Sequence, residues 1–530
     1  MRRIARLSGL FFALFGVSIA AAQPKVTFIE RQPDLSAGLG SIAIAAADLD
    51  GDGNIDLAVA NFDSDDVSIF WGNGDGTFVS AAATLPVQAP SGTVAFESPV
   101  AIAIDYVTGQ KYPDIITANE SADTVSVIPN LGGRSFGAAI ESPTGMSPEA
   151  LVVGDFNGDG KLDVATPNFY DDSVSILLGN GGGTLASPQA ITVGSEPYAL
   201  AAADFNKDGK LDLIVANLSG GPSQTGSLMV LQGMGDGTFV AQPAINSDTF
   251  NDPVAITAAF GPLDLNGDSF PDVVVASDYG DSLAVLFGNG DLTFQSPITL
   301  NLSVGSMPEG VVVADFNGDG HPDIASSASF KDKISVFVGL GSGTFAAPQD
   351  FALAGGPSPS GIAAGDFNKD GKIDLATANT LQDGTGGASV FLNVTGVTLA
   401  ASISPTDTAI PLTDARGFPA SGAILIDQEQ ITYAGKQANS LTGAVRGANG
   451  TVAAAHAQGA AVVLAPPAVC VGDCNGDGAV TVDEILTMVN IDLGSVPISA
   501  CTAGVANGDQ VITVAEILTA VNNALNGCTA

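Results

Sequence analysis

The stretch "DFNGDGKLD", Asp155 to Asp163, puts side-chain oxygens at its first, third, fifth and ninth positions and a glycine at its sixth. Carboxylates and amides spaced this way in a tight loop converge on one point, and the backbone carbonyl of the seventh position adds another oxygen. Hard oxygen ligands in that number suit calcium better than zinc or copper. Gly160, at the sixth position, allows the positive φ that bends the loop around an ion. Without a cation, acids a few ångströms apart repel one another strongly. A single copy would read equally well as a solvated turn, so repetition carries the argument.

Six intact copies supply six expected calcium sets. These are Asp48, Asp50, Asp52 and Asp56 (with the Asn54 carbonyl); Asp155, Asn157, Asp159 and Asp163; and Asp204, Asn206, Asp208 and Asp212. The later three are Asp264, Asn266, Asp268 and Asp272; Asp315, Asn317, Asp319 and Asp323; and Asp366, Asn368, Asp370 and Asp374. The fifth motif along the chain has Ser269 in place of the glycine. A worn copy, "DYVTGQKYPD", starts at Asp105, lacks oxygens at its third and fifth positions, and is expected to hold no ion between Asp105 and Asp114.

The elements that must position these loops follow from the spacing. The seven motifs begin 49 to 60 residues apart, a period that fits a propeller blade or a solenoid turn. In each unit a small-residue strand such as "SIAIAAAD" leads into the motif. A second strand ("DLIVAN"), a polar loop, a third strand ("VSILLGN"), a glycine hairpin and a fourth strand follow. Small residues suit strands that converge on a propeller axis, and the hairpin order argues against the rival parallel β-helix. The last repeat stops after "ASVFLNV", while "KVTFIERQPDL" near the N-terminus resembles the missing fourth strand. The expected fold over 24–395 is thus an all-β, seven-bladed β-propeller whose ends are tied together.

These repeats resemble the FG-GAP/VCBS family, whose best-known members are the propellers of integrin α-subunits. The resemblance implies structural calcium on one face and ligand recognition on the other. The loops expected opposite the motifs carry Phe62, Phe169, Tyr170, Tyr198, Tyr279 and Phe330. These rings either offer faces to a sugar or peptide or pack between blades.

Composition agrees with an exported β-protein. Only 6% of the 530 residues are aromatic and 14% are charged, and 56 acids against 17 bases give a net charge of −39. Such a surface disfavours nucleic acid and anionic lipid. Residues 1–22 read as a signal peptide, with Arg2, Arg3 and Arg6, an apolar run from Leu7 to Ile19, and Ala20-Ala21-Ala22. That run is too short to span a bilayer, so membrane insertion is not expected.

Residues 397–465 read as a small all-β module broken by glycine turns. Residues 470–530 carry a different loop, "DCNGDGAVTVDE", with Asp473, Asn475, Asp477, the Ala479 carbonyl, Thr481 and Glu484 at EF-hand-like positions. Helical spacing follows at Ile485, Leu486 and Val489. A second half-repeat keeps Asn507, Asp509 and Glu516 but has Val505 and Gln510 at two key positions. This pair resembles a type I dockerin, a small α-helical calcium-loop module, and so implies a cohesin-like partner. Val482 and Asp483 depart from the usual recognition pair, and a terminal cap is the plainer reading. Cys470, Cys474, Cys501 and Cys528 all lie in this tail, where export favours two disulfides, with Cys528 paired to Cys470 or Cys474.

No nucleophile elbow, phosphate loop or zinc spacing is present. His321 falls where a loop needs only its backbone, and His456 has no second ligand at metal spacing. The expected function is therefore a secreted or cell-surface, calcium-dependent adhesion or recognition protein for carbohydrate or protein, and not an enzyme. A polysaccharide lyase or hydrolase and a purely structural surface protein are the alternatives.

Overall fold

Alanine-rich strands begin each repeat and set its packing. The computed structural model describes residues 25–87, 97–219, 225–381 and 384–465, with residues 485, 489 and 517 in helical conformation. The segment 1–22, the C-terminal loop ligands Asp473, Asn475, Asp477, Thr481 and Glu484, and the four cysteines lie outside the described residues.

Seven antiparallel sheets of four strands form along the chain, the fourth carrying a short extra strand. In the first, Ser41–Ala47, Asp56–Asn61, Asp66–Gly72 and Phe78–Pro86 pair in sequence order. The sixth repeats this with Pro308–Ala314, Asp323–Ala328, Lys333–Phe337 and Gln349–Ala352. In the seventh, Ser358–Gly365, Asp374–Thr380 and Thr385–Asn393 are completed by Phe28–Leu39 from the start of the chain. Phe28 pairs with Asn393 and Arg31 with Val390, so the chain start supplies the outer strand of the last sheet.

Innermost strands touch their neighbours in chain order, and Ser358–Gly365 lies against Ser41–Ala47, which closes the cycle. That arrangement is a β-propeller. Second strands are buried along their length, as from Asp272 to Ser277, because they are central in their own sheet and covered by sheets on either side. Outer strands such as Ile298–Asn301 alternate half-buried and exposed residues. Apolar side chains of adjacent sheets share one core, as where Val274 and Val285 meet Ile324 and Phe337.

The following module, up to residue 465, has two three-stranded sheets around Leu399, Ile410, Phe418, Ile424 and Leu441. Ile29 and Val394 of the propeller join that core, so the module is seated on the last sheet. His456 is buried there, 2.7 Å from Asp427 and 2.8 Å from Glu429, which also pairs with Arg446 at 2.8 Å. It is a structural histidine. Among the described residues, no helix is long and apolar enough to cross a membrane.

Candidate functional site: acidic loops on one face, a cavity on the other

Each intact acidic loop is held by its own backbone. The first aspartate accepts from the sixth residue, as in Gly53 N to Asp48 Oδ2 (2.9 Å) and Gly160 N to Asp155 Oδ2 (2.9 Å). The third side chain accepts from the fifth N–H, and the fifth from the seventh. Gly160 takes φ +80° as expected, and Ser269 takes φ 70° in its place, a left-handed conformation unfavourable for a residue with a Cβ. These contacts leave further lone pairs on every carboxylate. In the first loop, oxygens of Asp48, Asp50 and Asp56 lie within 4.8 Å of one another. The donor set is oxygen throughout and fits a hard divalent cation.

The ninth position has a role that the spacing did not reveal. Asp56, Asp163, Asp212, Asp272, Asp323 and Asp374 are fully buried. In each, one carboxylate oxygen accepts the N–H of the loop's second residue and the other accepts an N–H from the end of the third strand. For Asp323 the donors are Phe316 (2.9 Å) and Gly339 (2.7 Å). This ties three strands at one point. Burial pushes these carboxyls up, to about 7 in Asp272 and Asp323 and about 8 in Asp374, against the pull of the two N–H groups. Nearby loop aspartates push the same way.

The worn repeat keeps this tie. Asp114 is buried and accepts from Thr108 N (2.7 Å) and Asn130 N (2.9 Å). The third-strand donor is glycine in five sheets for a steric reason. A Cβ on Gly339 would lie 2.1 Å from the Pro322 carbonyl oxygen. Asn130 and Asn393 stand at that position elsewhere, and their amides bond the corresponding carbonyls of Pro113 and Ile373.

Two loops have neighbours invisible in local sequence. Arg134 Nε lies 2.6 Å from Asp50 Oδ2, so a guanidinium from the hairpin of the second repeat leans on the first loop. Arg416 of the small module donates to the Lys369 carbonyl in the last loop, 2.5 Å away.

On the opposite face, aspartates of the second-to-third-strand loops act as clamps. Asp65, Asp123, Asp172 and Asp281 all have positive φ, between 45° and 57°. Their carboxylates accept from backbone just before the next sheet begins: Ser98 (2.8 Å), Ser147 (2.8 Å), Glu196 (2.9 Å) and Met307 (3.1 Å) respectively. The six expected rings divide here. Tyr170, Tyr279 and Phe330 are 68%, 67% and 71% exposed. Phe62 and Phe169 are half-buried, with Phe169 edge-on to Tyr170 and Tyr198. Tyr198 turns inward and lines a cavity of about 460 Å³ between the first residues of the innermost strands. Glu149, Asp278 and Glu309 line it too. Burial, then Glu120, raises Glu149 to about 7, against its hydrogen bond from Ser147.

The FG-GAP-like repeat is matched at residues 48–105, 107–166, 168–215, 264–326 and 326–377, more than half of the chain. The chain belongs to this family. The FG-GAP-like repeats therefore cover sheets whose turns carry the acidic loops. No curated protein matches the chain. Among solved structures, a streptogramin B lyase is 15% identical, with a TM-score of 0.47, over 69% of this chain and 98% of its own. A lectin of Agrocybe aegerita that recognises non-reducing terminal N-acetylglucosamine is 23% identical, with a TM-score of 0.44, over 64% of this chain and 85% of its own. Virginiamycin B lyase from Staphylococcus aureus is 12% identical, with a TM-score of 0.46, over 69% and 99%.

Proposed function

We propose that the seven sheets are the blades of one seven-bladed propeller over 24–395, exported by the leader 1–22. It acts as a calcium-stapled recognition protein for carbohydrate or protein. The observation that carries this reading is the division of labour between the faces. Acidic loops on one face are tied into strand ends, while the loops of the other present exposed Tyr170, Tyr279 and Phe330, and Tyr198 lines a cavity. Calcium would be held by the first, third, fifth and ninth side chains of each loop and would neutralise their mutual repulsion; its role is structural. The module over 397–465 serves as a seated spacer. The tail over 470–530 serves as a dockerin-like, disulfide-clamped attachment for a cohesin-like partner.

Incubating the calcium-loaded protein with a panel of polysaccharides and extracellular proteins tests the reading. Retention without new reducing ends, lost in a Tyr170→Ala/Tyr279→Ala/Phe330→Ala variant, is expected. New reducing ends would move the assignment to a polysaccharide-cleaving enzyme. Glu149 and Asp278, raised to about 7 and about 6, are the acid/base groups that second reading would use. No retention of any kind would leave a purely structural surface protein.

A further inference from the structure

The seventh-sheet acidic loop, Asp366 to Asp374, is covered where its counterparts are open. Asn368 at its third place is 1% exposed, and Asp370 at its fifth is half-buried. At the same places in the sixth-sheet loop, Asn317 is half-buried and Asp319 exposed, and the loops of the third, fourth and fifth sheets agree with the sixth. The small module lies against the covered loop. Arg416 donates to the Lys369 carbonyl (2.5 Å), and a Cβ on Gly417 would lie 2.4 Å from Val394 Cγ1. Lys436 fixes this segment by donating to the Arg416 and Phe418 carbonyls (2.9 and 2.6 Å).

The gripped carbonyl belongs to a residue in an unfavourable conformation. Lys369 takes φ 57°, in the left-handed region disfavoured for a residue with a Cβ. Lys207 of the fourth-sheet loop takes the same conformation, φ 58°, in a loop whose Asp208 is exposed. The grip does not contest an ion. Arg416 stands in the field of Asp370 and Asp366, but Asp414 of its own module neutralises it at 2.8 Å. Arg134, by contrast, pairs directly with a loop acid, Asp50. The covered loop also gives its acids one donor fewer. The amides of Asn206, Asn266 and Asn317 donate to the fifth aspartate of their loops (3.3, 2.9 and 3.0 Å). Asn368 Nδ2 is shielded and has no hydrogen-bond partner, so Asp370 lacks that bond and leaves a cation more to neutralise.

We infer that calcium in the seventh-sheet loop and the seating of the module over 397–465 support each other: the ion fixes the Lys369 turn that Arg416 grips, and the seated module encloses the ion. The inference rests on the calcium reading above and adds a joint that calcium stiffens. Such coupling is reciprocal, so each partner strengthens the other by the same factor.

Hydrogen exchange of amides 394–418 in the calcium-loaded full chain, beside stopped-flow release of its calcium into a fluorescent chelator, tests it. Asp366→Asn should speed exchange across that contact about fivefold or more, and the matched Asp204→Asn in the fourth-sheet loop should not. Arg416→Ala should speed the release of one ion by a similar factor. Arg416→Lys keeps the charge but cannot hold Asp414 and the carbonyl together, and should do the same. Unchanged exchange in the other six sheets checks that each variant is folded. Equal exchange across the contact in the two loop variants, or release of every ion untouched by both Arg416 variants, would overturn the inference while leaving calcium in the loops. A chain that binds no calcium would remove the calcium reading itself, and the joint with it.

Discussion

The acidic loops on one face of the propeller and the cavity on the other place their carboxylates differently. On one, aspartates are packed into nine-residue loops where backbone N–H groups aim at them, as around Asp155 and Asp323. On the other, Glu149, Asp278 and Glu309 come from three sheets and surround open space. Local clustering with supplied donors makes a stapling point. Around the cavity the carboxylates lack such a set of donors, and burial raises Glu149 to about 7 and Asp278 to about 6. Position in the sheet, rather than residue type, separates the two roles.

The largest expected effect tests the first half of that contrast. Each site at a hundredfold excess of calcium over its dissociation constant adds about 2.7 kcal/mol, so chelation should lower the melting temperature by about 10 °C or more. An unchanged melt on chelation would remove calcium from the account.

A smaller loss separates the buried ties from the ion. Asp323→Ala strands two buried N–H donors and should cost about 3 kcal/mol in denaturant unfolding. Asp114→Ala, in the repeat expected to hold no ion, should cost a similar amount. If Asp114→Ala proved harmless, the ninth aspartate would matter only as a metal ligand. Next comes the clamp on the opposite face: Asp281→Ala loses its bonds to Gly305 N and Met307 N and should cost about 1–2 kcal/mol.

The axial acids carry a pH signature. Burial raises Glu149 to about 7, with Glu120 adding to it and Ser147 opposing it, so the folded chain holds that proton more tightly than the unfolded one. The associated stability is present below the ordinary glutamate range and is lost as pH rises through about 7. Glu149→Gln should therefore raise the melting temperature at pH 8 and not at pH 4. The opposite ordering would show that the carboxylate is stabilised where it sits. The smallest effect concerns Arg134. Arg134→Ala should strengthen calcium binding at the first loop by a few-fold, read by competition with a calcium chelator, because the guanidinium neutralises Asp50.

What was legible in the sequence follows the distance between partners. The acidic loops could be read because their donors and acceptors lie within five residues, as with Asp48 and Gly53. The pairing of the chain start with the last sheet was also legible, since both repeated patterns survive in the residues. Arg134 reaching Asp50 was not, being 84 residues away. Nor were the clamps: Asp281 and Met307 are 26 residues apart, and nothing local distinguishes Asp281 from a solvated loop acid. One signal was available. Ser98, Ser147, Glu196, Asp252 and Met307 each precede a proline, and all take positive φ where an innermost strand begins. The rings were read as one group because sequence shows that an aromatic recurs, not which way it turns. Tyr198 points inward, while Tyr279 points out.

Closure by Phe28–Leu39 has a consequence in time. During synthesis that strand emerges first, yet its partner, Thr385–Asn393, emerges about 350 residues later. Until then the earliest segment has no place to settle, and no partial product owns a closed circle. Removing either Phe28–Leu39 or Thr385–Asn393 would therefore undo the same seam.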